Sequence, residues 1–220
     1  MIRLIVWKLL FGLVNLGKKI TQNRGLRVWH FVYGANIDSE VLTVRGVDVL
    51  QSQDYILQDY KFAFTHPGPY VGQSFADVRY CPGEKTYGKR YLISKWDQIR
   101  LHLFELALIF DLHKIVWLQA QGKEFYFYQA RDVQENLAPF CDYRDKIIKA
   151  YQKSGLHIPS YEAVLLDHPC LLAKPAQVEG FHLRHPPKTK HKWVYQICLH
   201  YELLAQRYLM AWYPHKITGE

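Results

Sequence analysis

The chain has 220 residues, of which 49% are hydrophobic and 22% charged. This is enough apolar material for a sizeable core without staples, it excludes wholesale disorder, and the length fits one domain with appendages. The formal net charge of +8 sits at the ends: residues 1–30 carry six basic and no acidic residues, 31–170 carry 15 basic and 17 acidic, and 171–220 carry seven basic and three acidic, so no nucleic-acid partner is expected for the near-neutral middle.

Ile2, Ile5, Val6, Leu9, Leu10, Leu13 and Val14 recur at helical spacing, flanked by Lys8, Asn15, Lys18 and Lys19. The apolar run is shorter and more interrupted than the roughly 20 residues of a membrane span. Lys8 breaks the apolar region that a signal peptide needs, and no A-x-A site follows. Two readings of this basic helix (residues 1–27) stand side by side. It packs its apolar face on the domain, or it lies on an anionic membrane surface with its lysines at the headgroups.

Residues 28–33 (VWHFVY) are β-branched and aromatic, as in a buried strand. Gly34-Ala35-Asn36 makes a turn, and a helix follows over 37–44 with Asp38 and Ser39 as candidate caps. Strand, tight turn and helix start together point backbone N–H groups at a ligand, favouring a carboxylate or phosphate. Asn36 also has a plain reading, as a residue that tolerates a left-handed turn. Residues 55–64 (YILQDYKFAF) form the next strand, and His66-Pro67-Gly68-Pro69 breaks it, with His66 a loop residue. A short strand over 75–78, a turn at Cys81-Pro82-Gly83-Glu84 and a strand over 86–93 (TYGKRYLI) come next. Ser94 caps a helix containing Ile99, Leu101, Leu103, Phe104 and Glu105.

Residues 114–118 and 124–129 pair around Gln121-Gly122 like a hairpin. An amphipathic helix spans 143–154 and ends at Gly155. Residues 182–192 (HLRHPPKTKHK) are a basic loop whose His182, His185 and His191 lack a carboxylate or Cys partner for a metal. Residues 193–212 form a last helix, with Val194, Ile197, Tyr201, Leu204 and Tyr208 on one stripe for core packing or a second interfacial contact. Strands dominate the first half and helices the second, an α+β pattern. Cys81, Cys141, Cys170 and Cys198 lie 28 or more residues apart with no zinc spacing, so free thiols in a reducing, cytoplasmic compartment are expected.

The order of these motifs resembles the γ-glutamylcyclotransferase family. The family's Tyr-Gly-Ser-Asn turn matches Tyr33-Gly34-Ala35-Asn36, and its LxDY strand matches Leu57-Gln58-Asp59-Tyr60. Its GxANI…SPGxxVxGxxY stretch matches Ser74 to Val78 and then Cys81 to Tyr91. Its acidic residue, counted from Lys95, falls on Glu105, and its PSxxYxxxI helix start falls on Pro139 to Ile147, which includes Tyr143. The resemblance spans residues 28–168, between the N-terminal helix and a basic loop and helix over 169–220. It implies a small mixed β-barrel flanked by helices and a place in glutathione metabolism. The implied reaction cyclises a γ-glutamyl peptide or amine to 5-oxoproline and releases the amino acid or amine.

That chemistry needs no catalytic Ser or Cys, because the substrate's own α-amine attacks its γ-carbonyl. Holding the chain folded back supplies effective molarities that can reach about 10⁵–10⁸ M. One carboxylate can take the amine proton and return it to the leaving nitrogen, and Glu105 is the candidate. Its apolar neighbours would raise its pKa on burial. Tyr33, Gly34, Ala35 and Asn36 form the substrate cradle, and Tyr143 is placed to hydrogen-bond the glutamyl moiety. No metal or organic cofactor is called for. Two departures are visible: Ala35 replaces the family's Ser, and Leu106-Ala107-Leu108 replaces the glycine that follows the family's acid. Glu105 as a solvent-facing helix carboxylate, and Tyr143 as a core-edge tyrosine, are the plain alternatives. Asp77 and Glu84 are further acids near the barrel mouth, and Asp77 paired with Glu105 would keep one carboxyl protonated. The rival functions are a non-catalytic binding module with the same pocket and a membrane-peripheral interaction protein. The sequence sets no oligomeric state.

Overall fold

The computed structural model describes residues 2–21, 25–68, 71–105, 113–156 and 158–172. The expected helix over 193–212, the basic loop over 182–192, Cys198 and the loop after Glu105 lie outside them. In chain order the elements are α1 (Ile2–Thr21), β1 (Arg27–Val32), a 3-10 turn (Gly34–Ile37), α2 (Ser39–Val44), β2 (Gln51–Pro67), β3 (Ser74–Ser94), α3 (Lys95–Phe104), β4 (His113–Ala120), β5 (Lys123–Ala130), α4 (Cys141–Lys153) and α5 (Pro159–Asp167).

The five strands form one mixed sheet in the order β2-β3-β1-β5-β4, with β1 and β5 parallel and the other pairs antiparallel. In a flat sheet β2 and β5 would lie about 14 Å apart, three strand spacings. Yet the Tyr55 and Phe125 rings are 5.2 Å apart and Tyr60 and Phe127 are 5.3 Å apart. The sheet therefore curls into an open half-barrel, with β2 and β4 as its edges among the described residues.

After the exposed Arg27, strand β1 is apolar or aromatic except for His30, because both its faces are covered. Phe31 points into the concave side with Leu57, Val78, Phe125 and Phe127. Val28 and Val32 point to the convex side, where Leu42, Leu101, Ile147, Tyr151 and Leu165 from the helices pack.

The β2–β3 hairpin differs from the sequence expectation. Residues 75–78, 81–84 and 86–93 belong to one continuous strand instead of two strands and a turn. The turn-forming residues still bend the chain. Tyr60 pairs with Tyr80 and Gln58 with Lys85, so residues 81–84 bulge opposite Asp59 alone. Asp59 and Gly83 both take positive φ there (61° and 83°), and the Gly83 amide donates to Asp59 Oδ1 at 2.8 Å. His66, read as a loop residue, is the penultimate residue of β2.

Helix α1 packs one face on α3. Val14 is buried, the Phe11 and Phe104 rings are 5.0 Å apart, and Lys18 Nζ reaches Asp97 at 2.8 Å and Asp48 at 2.7 Å. Its other face carries Leu9, Leu13, Leu16 and Ile20, each more than half exposed. No helix among the described residues is long and apolar enough to cross a membrane.

The cysteines correct a second expectation. Cys141 and Cys170 form a disulfide that joins the start of α4 to the segment after α5, while Cys81 is free. Their 29-residue separation carries no pairing signal; the intervening α5, absent from the sequence reading, brings them together.

Candidate active site

The site is assembled where three chain segments end. Strand β1 delivers Tyr33 in extended conformation, and Gly34 then turns the backbone at φ +65°. A side chain at Gly34 would be strained by that φ, and its Cβ would stand 3.1 Å from the Ala76 Cβ. Asp38 caps the start of α2 by accepting from the Glu40 amide at 3.0 Å, and Arg45 is the C-cap at its other end. Ser94 caps the start of α3 by accepting from the Asp97 amide at 3.0 Å, and Glu105 is the C-cap at its other end.

These ends meet. Glu105 Oε1 accepts from Arg45 Nη1 at 2.8 Å and from Asn36 Nδ2 at 3.4 Å. On its other side, His113 Nδ1 lies 2.7 Å from the Glu105 carbonyl oxygen. The acid near the chain midpoint thus faces the turn after β1, and its side chain is 19% exposed. Burial pushes the Glu105 carboxyl up, as expected, but the Arg45 guanidinium and the nearby His113 outweigh it and hold the carboxyl below its ordinary value. The expected rise is therefore corrected to a fall: the group is an ionised carboxylate near neutral pH.

The cradle residues divide. Asn36 contacts Glu105 directly. The Gly34 amide is engaged by the Tyr151 hydroxyl, which itself donates to the Tyr87 carbonyl at 2.7 Å, so Gly34 serves to shape the turn. Tyr33 sends its hydroxyl away to the Tyr128 carbonyl at 2.6 Å. Ala35 stays partly buried against the core beside the turn. Tyr143 accepts from the Ala76 amide at 3.4 Å. Burial, with the Glu105 charge also acting, pushes its pKa up to about 12, so it stays a neutral donor. Asp77 is committed elsewhere: it takes Arg79, Thr65 Oγ1 at 3.2 Å and the Ala130 amide at 3.0 Å, and does not pair with Glu105. Burial raises its pKa.

Four participants were not anticipated. Arg45 stands just after the helix expected over 37–44, and His113 just before the strand expected over 114–118. His30 and His102 lie beneath the site on the convex face. His102 Nδ1 is 2.7 Å from the Tyr128 hydroxyl, and His30 stacks on Tyr126 with ring centroids 4.5 Å apart. Burial lowers both to about 4, so both are neutral near pH 7. The inward register of His30 in VWHFVY was the available signal. Among the described residues no group of three or more His, Cys, Asp or Glu is placed to hold a metal ion.

No family model and no curated protein matches the sequence. Solved structures match its shape. An uncharacterized human protein aligns at TM-score 0.54 and 19% identity, over 70% of this chain and 94% of its own. A γ-glutamyl cyclotransferase aligns at TM-score 0.55 and 16% identity, over 70% of this chain and 95% of its own. YkqA from Bacillus subtilis aligns at TM-score 0.55 and 18% identity, over 70% of this chain and 60% of its own. With its mixed sheet and flanking helices, the chain has a γ-glutamylcyclotransferase-like fold.

Proposed function

We propose that this protein cyclises a γ-glutamyl peptide or amine to 5-oxoproline, with Glu105 as the acid–base residue. The observation that carries this reading is the direct contact between Glu105 and Asn36 of the turn after β1. The substrate's α-carboxylate takes Arg45 as its partner and draws it from Glu105. Glu105 then accepts a proton from the α-ammonium group. The freed amine attacks the γ-carbonyl carbon, closing the lactam. The protonated Glu105 returns its proton to the leaving nitrogen as the original amide bond breaks, then takes the second proton from the new ring nitrogen and passes it to the released amine, which departs as its ammonium form. Ala35 and Asn36 offer main-chain N–H groups to the developing oxyanion, and Tyr143 donates to the glutamyl moiety. The test is release of 5-oxoproline from γ-glutamyl dipeptides by the purified chain. Saturable binding of these compounds without turnover would instead favour a non-catalytic binding module.

A second reading concerns location. The exposed stripe Leu9, Leu13, Leu16 and Ile20, on a segment with no acidic residue before position 30, suits the surface of an anionic bilayer. The cytoplasmic leaflet is the surface proposed, with α1 docked on the domain through Lys18 and facing lipid with its leucines. The chain should bind vesicles containing phosphatidylserine, and the binding should weaken with salt. Binding that survives Leu13→Glu with Leu16→Glu would remove the proposal. The Cys141–Cys170 disulfide suits an oxidising compartment instead, so the redox state of this pair in cells tests the cytoplasmic placement separately.

A further inference from the structure

The concave face of the sheet, opposite the side where α3 presents Glu105, holds two cations that no described carboxylate neutralises. Arg90 on β3 is only 3% exposed, and its Nε and Nη1 are buried without a hydrogen-bond partner. Its guanidinium lies 4.1 Å from the centre of the Tyr55 ring and 5.5 Å from that of Phe125. Stacking satisfies the face of a guanidinium but leaves its N–H edge wanting acceptors. The acceptors present are neutral: Arg90 Nη2 donates to Gln121 Oε1 at 3.0 Å and to Gln53 Oε1 at 3.3 Å. Burial lowers the Arg90 pKa, opposed only by Tyr55.

The second cation converges on the same point. Lys123 Nζ, at the start of β5, donates to Gln53 Oε1 at 3.1 Å and sits 4.6 Å above the Trp29 ring. One amide oxygen is therefore shared by an ammonium and a guanidinium. Amide oxygens are weak partners for buried cations, which ordinarily take carboxylate or phosphate. Gln121, the other acceptor, is an exposed residue of the β4–β5 turn, so it can swing away and open a path to Arg90.

We propose that Arg90 and Lys123 bind a small-molecule oxyanion, a phosphate or carboxylate group, at the position now held by Gln53 Oε1, between walls made by Trp29 and Tyr55. An oxyanion there accepts from both cations at once, and its arrival supplies the acceptor that the Arg90 edge lacks. The site is independent of Glu105 and its proposed chemistry.

The full chain is titrated with inorganic phosphate and, separately, with succinate, at ionic strength held constant with chloride. The readouts are the Nε–Hε NMR signal of Arg90, assigned by its absence in Arg90→Lys, and the melting temperature. A saturable movement of that signal with a rise in Tm is expected; a response to phosphate assigns a phosphate-bearing ligand and a response to succinate a carboxylate. Lys123→Met, at a half-buried position beside the turn, should weaken binding about tenfold, the loss of one charge-assisted contact. Glu105→Gln should leave the titration unchanged. An Arg90 signal unmoved by either anion, a Tm rise that chloride reproduces, or undiminished affinity in Lys123→Met would overturn the proposal.

Discussion

Replacing Gly88 with alanine tests how the strand that carries the site is seated. Gly88 lies on β3 where Phe31 crosses it. An added Cβ would stand 2.7 and 2.8 Å from two carbons of the Phe31 ring and would meet the Val32 carbonyl oxygen. Carbon atoms prefer about 3.5–4.0 Å, so the ring would have to move by about 1 Å. Phe31 is fully buried among Tyr55, Phe125 and Phe127 and cannot move alone. Overpacking of this kind costs about 1–3 kcal/mol, and a clash with backbone points to the upper end. For a domain of this size that is a fall in Tm of roughly 5–10 °C. Thermal unfolding followed by circular dichroism measures it, with Gly12→Ala as the contrast. Gly12 lies in α1 with no atom within 4 Å of an added Cβ, so the same methyl should stabilise by up to about 1 kcal/mol. Val32 leads straight into Tyr33 and the turn, so Gly88→Ala should also lower any activity. A Gly88→Ala protein that melts with the wild type would refute the packing argument.

Other perturbations have equally definite signs. Arg45→Met removes the charge that holds the Glu105 carboxyl down, leaving burial to raise it, so the acid limb of the pH–rate profile should move to higher pH; an unmoved limb would show that Arg45 does not set the charge state. His30 and His102 titrate at about 4 in the folded protein and near 6.5 unfolded, so the unfolded chain takes up protons that the folded one refuses. Their contribution is therefore complete above pH 6.5 and is lost as pH falls toward about 4, at up to about 1.4 kcal/mol per pH unit for each. Urea unfolding across that window measures the slope, and a flat profile would contradict their burial as neutral groups. Cys141→Ser opens a loop of 29-residue separation and should cost about 3–4 kcal/mol. Melting curves with and without dithiothreitol check this, and identical curves would mean that the bond is absent.

Local signals in the sequence were reliable where the chain's own chemistry closes them. Asp38 and Ser94 cap helices, Gln121-Gly122 turns a hairpin at positive φ, and Gly155 follows α4, each within a residue or two of expectation. The turn at 81–84 was misread because Pro and Gly mark a bend in the chain, and whether that bend ends a strand or bulges within it depends on the partner strand. Glu105 and Asn36, 69 residues apart, were paired through the family resemblance, and the fold brings them into contact. Arg45 was missed because its meaning comes entirely from its ion pair with Glu105, 60 residues away. The same is true of the Glu105 pKa: apolar sequence neighbours argue for a rise, but α2 supplies a cation that no local window contains. The disulfide was missed for a related reason, since it depends on how α4 and α5 pack.

The most direct measurement compares 5-oxoproline release from a γ-glutamyl dipeptide by the wild-type chain and by Glu105→Gln. Gln keeps the shape of the side chain and an oxygen for Asn36 but cannot carry the proton. Release by the wild type and a fall of about 10²–10⁴-fold in the variant are expected, with the melting temperature little changed. Equal turnover by the two proteins would contradict the role proposed for Glu105.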